Sequence, residues 1–342
     1  MLLVLIGHCS YYTIHSDYGG IDHAVDPQLY SMVSVNVNRL IAFIYSFHMP
    51  FFMMISGCTY AISVHKKTAF GVFLHGKFVR LIIPFMLVTA FLSVPLKYLS
   101  GYWDASADVA TDILLGQFLL MGNSHLWFVV SLFWIFLIAY PLTKRSGAAY
   151  NRLVLLLAVL LNLLSLAVPN NLLGIHNAMA YFLYFYVGYL LYPFINRMKT
   201  IPSLHLGVLF VLLYLFQSLY RHLVTAYDYW EYVQLMHSIL YMFGALLTSF
   251  TCFCLCKKVA STLFDRTIKR FFGDTYEIYL YSDPFNYVII FCGWTLWGER
   301  VLTFNGVSLA MFMIRLIGTF IFAYLVVGLV RLLRVKELRR FC

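Results

Sequence analysis

The apolar runs of this chain constrain it more than any other feature: WFVVSLFWIFLIAYPL (residues 127–142) and LVLLLAVLLNLLSLAV (153–168) hardly pause for a charge. Runs like these are hidden either in a large soluble core or in a bilayer, and composition decides between the two. Hydrophobic residues make up 62% of the 342 and charged residues 11%, with a mean hydropathy of +0.81. A soluble domain carries about 25% charged residues. With so few charges this chain cannot cover a water-facing surface, so its solvent is lipid. In lipid every backbone polar group must be satisfied within the protein. The runs exceed the roughly 9–11 residues of a membrane barrel strand, which leaves the helix.

At about 20 residues per crossing, the pattern predicts an all-α, polytopic bundle of ten transmembrane helices. They fall near residues 1–14, 39–63, 80–100, 124–142, 153–169, 178–195, 204–220, 233–255, 272–291 and 307–330. Neither a linker nor a low-complexity tract interrupts them, so residues 1–342 read as one membrane-embedded domain. From Met1 to Ile14 is about 21 Å of helix, short of the roughly 30 Å hydrocarbon core, and the first helix therefore reads as truncated. Most Lys and Arg fall in alternate connections: HKKTAFGVFLHGKFVR, TKRSGAAYNR, NRMKTIPS, CKKVASTLFDRTIKR and the tail RLLRVKELRR. By the positive-inside rule these are cytoplasmic, and both termini with them.

The formal charge of +10 is dispersed over these connections rather than gathered on one face. It suits orientation and anionic lipid better than nucleic acid, which is not expected as a partner. No basic segment and small-residue cleavage site mark a secretory signal. A multi-pass location in a plasma-type membrane follows. Of the seven cysteines, three form CFCLC at residues 252–256. Alternate residues do not share a helix face, and a metal site wants about four ligands. No metal is expected.

Polar groups at membrane depth need a reason, because a charged side chain there costs roughly 2.5 kcal/mol or more. His8 lies in LIGHCSYY, and FHMPFFMMISG (residues 47–57) holds His48, Pro50, Ser56 and Gly57. Counted along helices from one surface, His8 would lie about 9 Å deep and His48 about 14 Å. Histidine exchanges a proton near neutral pH, which suits a general base acting on a hydroxyl. A transporter's proton path would use the same groups. In KFVRLIIPF, Lys77 and Arg80 are three residues apart, a spacing that places both on one helical face and can hold phosphate, although basic anchoring at the membrane surface would look alike.

Together these stretches resemble the acyltransferase family 3 membrane proteins, which include bacterial polysaccharide and fucose O-acetylases. MLLVLIGH, FHMPFFMMISG, KFVRLIIP and HLWFVVSLFW follow one another as similar stretches do in that family, and the likeness extends from His8 to about Pro284. It implies a membrane-bound O-acyltransferase that passes an acyl group, usually acetyl, from cytoplasmic acyl-CoA to a hydroxyl of an extracytoplasmic glycan or other cell-envelope acceptor. Acetyl-CoA would be a donor substrate, not a permanent cofactor. His8 would be the acid/base residue, and Lys77 with Arg80 would meet the CoA phosphates. His48 would act beside His8, in a chamber lined by Ser56, His125, Trp127, Glu277 and Ser282.

Two features depart from the family pattern. Its arginine, ten intervening residues before the histidine, has no counterpart here. In FFGDTYEIYLYSDPFNYVI (271–289), Ser282 stands where a histidine is usual, with Asp283 beside it and Glu277 lower on the same predicted helix. Asp283 is expected about 16 Å from the cytoplasmic surface, where it would orient His8, the second half of a carboxylate–imidazole base. Its alternatives are partnering a kink at Pro284 and lining a water-filled cavity. The opposite loops GIDHAVDPQLYSMV, WDASADVATD and TAYDYWEY carry carboxylates and aromatics suited to a sugar. A proton-coupled transporter and a degenerate, non-catalytic relative are the alternative functions.

Overall fold

The computed structural model describes the chain except for residues 10, 65–68, 146, 196–202, 227–230, 264–272 and 341–342. It is mostly helical. Among the described residues, five helical stretches are long and apolar enough to cross a membrane: Met32–Val64, Phe70–Leu99, Ala148–Ala167, Ser238–Lys257 and Asn305–Leu333. Shorter apolar helices include Val109–Phe118, Trp127–Leu142 and Gly207–Phe216. Residues 196–202 and 264–272, expected from sequence in cytoplasmic connections, lie outside the described residues, as does Asp228 of the stretch TAYDYWEY.

Several expected boundaries move, each for a local reason. The helix expected over residues 1–14 spans only Leu2–Gly7, and Thr13–Ile14 pairs antiparallel with Ile21–Asp22. β-Branched Thr13, Ile14 and Ile21 favour the extended chain, and Gly19, at φ +105°, supplies a turn that other residues resist. A depth for His8 counted along an unbroken helix therefore does not apply. The helix expected over 39–63 is two, Met32–Tyr45 and His48–Val64, separated by a turn at Ser46–Phe47. Pro50 has no N–H to give the carbonyl four residues back, so it is accommodated in the first turn of a new helix instead.

The stretch read as a basic loop before residue 80 is helical from Phe70. This helix carries two π-helical turns, Phe78–Ile82 and Thr89–Ser93, each just ahead of a proline, Pro84 and Pro95. A proline ring clashes with the carbonyl four residues earlier. Here those carbonyls belong to Arg80 and Phe91, inside the widened turns. Part of the loop WDASADVATD is also helical: Asp108 caps the Val109–Phe118 stretch by accepting from the Thr111 amide at 3.2 Å.

The described chain divides into two compact units, each assembled from separated stretches: 1–42, 83–126 and 265–342 in the first, 43–82 and 127–264 in the second. In the first, the Thr275–Trp297 helix packs on the Asn305–Arg340 helix, and the reversal between them passes through Gly298 at φ +54°. The short hairpin rests on Tyr102, Trp103 and Tyr287. Tyr12, Val25, Ile290, Val301 and Met311 form an adjacent apolar cluster.

The second unit centres on the pairing of His48–Val64 with Ile175–Ile195. A Cβ on Gly57 would fall on the Phe185 carbonyl, and one on Gly188 on the Met54 carbonyl. The two glycines let the backbones touch, as small residues do at membrane helix contacts. On Ala148–Leu164, Val154 and Ala158 are buried while Leu153, Leu156, Leu157, Leu160 and Leu164 are exposed, an apolar face turned to lipid. Gly57→Val should force these helices apart at a cost of about 2 kcal/mol or more. The check is a lower thermal midpoint in detergent, and an unchanged midpoint would refute the close contact.

Candidate active site

Pro284 links sequence to site. It cannot donate to the carbonyl of Leu280, four residues back in the Thr275–Trp297 helix, and that oxygen needs another partner inside the protein. His125 supplies it: Nε2 lies 3.2 Å from the Leu280 oxygen. The segment around His125 is held on the same helix by Tyr279, whose hydroxyl donates to the His125 carbonyl at 2.5 Å. Leu120, buried and at φ 61°, turns the chain into this segment. Leucine in the left-handed region costs roughly 1–2 kcal/mol, and such strain tends to collect where geometry serves function.

One residue before the proline, Asp283 is 3% exposed and draws three polar groups to its carboxylate. His8 Nδ1 is 2.8 Å from Oδ1, the Tyr11 hydroxyl donates to the same oxygen at 2.7 Å, and His125 Nδ1 is 3.4 Å from Oδ2. An ionised carboxylate only accepts. The His8 ring proton is therefore assigned to Nδ1, which leaves the Nε2 lone pair for another group. The His8 side chain keeps 20% of its exposure, against 3% for His125. Of the two imidazoles on Asp283, His8 is the one a substrate can approach.

Buried cations surround this centre. Lys97, 1% exposed, donates to Gln117 Oε1 at 2.9 Å and to the Asn123 carbonyl at 2.5 Å, which tethers the segment leading to His125. The faces of Tyr102 and Tyr287 lie 4.5 and 4.6 Å from its ammonium, within cation–π range. Arg315, fully buried, donates to the carbonyls of His8 and Tyr11 and to Asn286 Oδ1.

The first unit thus brings together His8, His125 and Asp283 from stretches more than 100 residues apart, with Ser282 buried beside them. Glu277 is half-buried in the same helix, near its start, where Asp274 pairs with Arg331. The remaining expected residues belong to the second unit. His48 is buried with Nδ1 3.0 Å from the Ile44 carbonyl, which also accepts from the Phe47 amide at 3.2 Å in the turn at Ser46–Phe47. The Ser56 hydroxyl bonds back to the Phe52 carbonyl at 2.9 Å, and Trp127 stacks on Tyr181. Lys77 covers the Phe136 ring at 3.6 Å, while Arg80, beyond the start of a π-helical turn, is exposed.

Four residues of the site escape a reading from sequence. Arg315, in MFMIRLIGTF, carried the plainest signal, a charge in the middle of an apolar run. Asn286 stands three residues after Asp283, on the same helical face. Lys97 resembles an anchor at a helix end, and Tyr11 is one of 26 tyrosines with nothing local to single it out.

A family model described as an acyltransferase domain, that of acyltransferase family 3, matches residues 1–328. Comparison with curated proteins and with solved structures gave no match.

Proposed function

Since this chain belongs to acyltransferase family 3, we propose that it is a membrane O-acyltransferase that moves an acyl group, acetyl in the simplest case, from acyl-CoA to a hydroxyl of an extracytoplasmic glycan or envelope component. The observation that carries this reading is the contact of His8 Nδ1 with Asp283. A carboxylate on one ring nitrogen sets the tautomer and steadies the imidazolium that forms when the other takes a proton.

In the proposed reaction the acceptor hydroxyl gives its proton to His8 Nε2 as its oxygen attacks the thioester carbon. The C–O bond forms, the C–S bond breaks, and the proton on His8 passes to the departing CoA sulfur. The Tyr11 hydroxyl holds the Asp283 oxygen that serves His8. Lys77 and Arg80 are assigned to the donor's phosphates on the strength of their charge and spacing. A cytoplasmic side for the basic connections, in a bacterial plasma membrane, completes the proposal and rests on their charges.

The test is CoA release and acetyl incorporation into envelope glycan, measured in membranes holding the chain and supplied with labelled acetyl-CoA. Label in the glycan that disappears with His8→Ala supports the reading. Glycan or small-molecule movement with no consumption of acyl-CoA would replace it with a proton-coupled transporter.

A further inference from the structure

Carbonyls at the end of a helix have no partner within it. The first helix ends at His8 (φ −78°, ψ −1°), whose carbonyl accepts from two side chains, Asn286 Nδ2 at 2.8 Å and an Arg315 terminal nitrogen at 2.6 Å. The other terminal nitrogen of Arg315 reaches the Tyr11 carbonyl at 3.0 Å, and its Nε donates to Asn286 Oδ1 at 2.9 Å. Guanidinium, amide and His8 carbonyl close a ring of hydrogen bonds. Tyr11 and Tyr12 add their ring faces at 5.1 and 4.9 Å from the guanidinium carbon.

An arginine buried among apolar helices is costly unless its charge is met. Among the described residues, no ion pair joins Arg315 to a carboxylate, so its charge is met by these oxygens and rings. Asn286 stands one turn beyond Asp283, so a single helix holds His8 twice, by its ring through Asp283 and by its main chain through Asn286. A ring held only at Nδ1 can pivot about that contact and swing Nε2 away. Fixing the carbonyl as well removes the pivot. A general base gains from this, because a misplacement of about 1 Å can cost on the order of 100-fold in rate.

We propose that Arg315 and Asn286 form a clamp on the main chain of His8 and are positioning residues that set where Nε2 points. The inference rests on the reading of His8 as the base. The planar fork of arginine reaches its three acceptors from separate nitrogens held in one plane, whereas a lysine ammonium donates from a single atom.

The experiment uses the full chain in lipid nanodiscs, with Asn286→Ala as the milder variant and Arg315→Lys as the stronger. Two quantities are read: kcat and KM with acetyl-CoA, and the rate at which diethyl pyrocarbonate modifies His8, with exposed His15 as the reference on the same peptide map. The clamp predicts a kcat lower by about 10- to 100-fold, a KM for acetyl-CoA within about twofold, and His8 modification faster by several fold relative to His15. In a His8→Ala background, Asn286→Ala should lower the residual rate no further.

Unaltered His8 modification in both variants overturns the clamp, whatever becomes of the base assignment. A kcat loss equally large without His8 overturns it too, because Asn286 would then act by another route. Full transfer by His8→Ala removes the base and leaves the modification rates to decide the clamp.

Discussion

Replacing His8 with alanine is expected to lower acyl transfer by about 100- to 10,000-fold, the range a positioned general base contributes. The substitution removes the ring but keeps the main-chain carbonyl that Asn286 and Arg315 hold. The hairpin at Thr13–Ile14, packed on Tyr102 and Trp103, should remain in place. Loss of rate with an unchanged thermal midpoint in detergent is therefore the expected pair of results. Equal turnover by wild type and His8→Ala would place the chemistry elsewhere.

Asp283→Asn should cost on the order of 10⁴-fold in kcat, by analogy with the same exchange in Ser-His-Asp triads, where the amide holds the histidine in the wrong tautomer. Here Oδ1 serves both His8 and Tyr11, while Oδ2 faces His125. An asparagine has one acceptor oxygen in place of two, and its NH2 must face either His8 with Tyr11 or His125. If the oxygen stays with Oδ1's partners, the NH2 faces the free Nδ1 of His125, and what His8 loses is the negative charge that steadies its imidazolium. If the amide flips, His8 loses its contact, and Nε2 then carries the proton it is meant to take. Asp283→Glu keeps the charge but moves the carboxylate by about a bond length and should recover part of the rate. A kcat for Asp283→Asn within threefold of wild type would leave Asp283 a structural role only.

Parts of this site were open to a reader of the sequence, though not always for the right reason. His8, His125 and Asp283 were each singled out, His125 because HLWF resembles the family's own stretch and Asp283 because a carboxylate was expected at the depth of His8. That depth was counted along a helix that ends at Gly7, so the two residues meet through a different path of the chain. From sequence, Pro284 reads as a kink that Asp283 could partner. Its consequence, the Leu280 carbonyl that His125 takes, needs a residue more than 150 positions away and has no local signature. Arg315 was legible and overlooked, because in a count of apolar residues one charge disappears into the average.

The sequence alone determined that this chain lives in a bilayer, that it is helical and that it belongs to an acyltransferase family. Solvent is set by composition, helix by the length of apolar runs whose backbone must satisfy itself, and family by short motifs in order. Only the tertiary structure decided that His8 and His125 meet the one carboxylate of Asp283, and that Arg315 with Asn286 grips the chain at His8. The physical reason is that apolar periodicity records which residues avoid water but not which helix lies beside which. A buried polar contact depends on that second fact, and on where prolines, helix ends and turns leave a carbonyl in need of a donor.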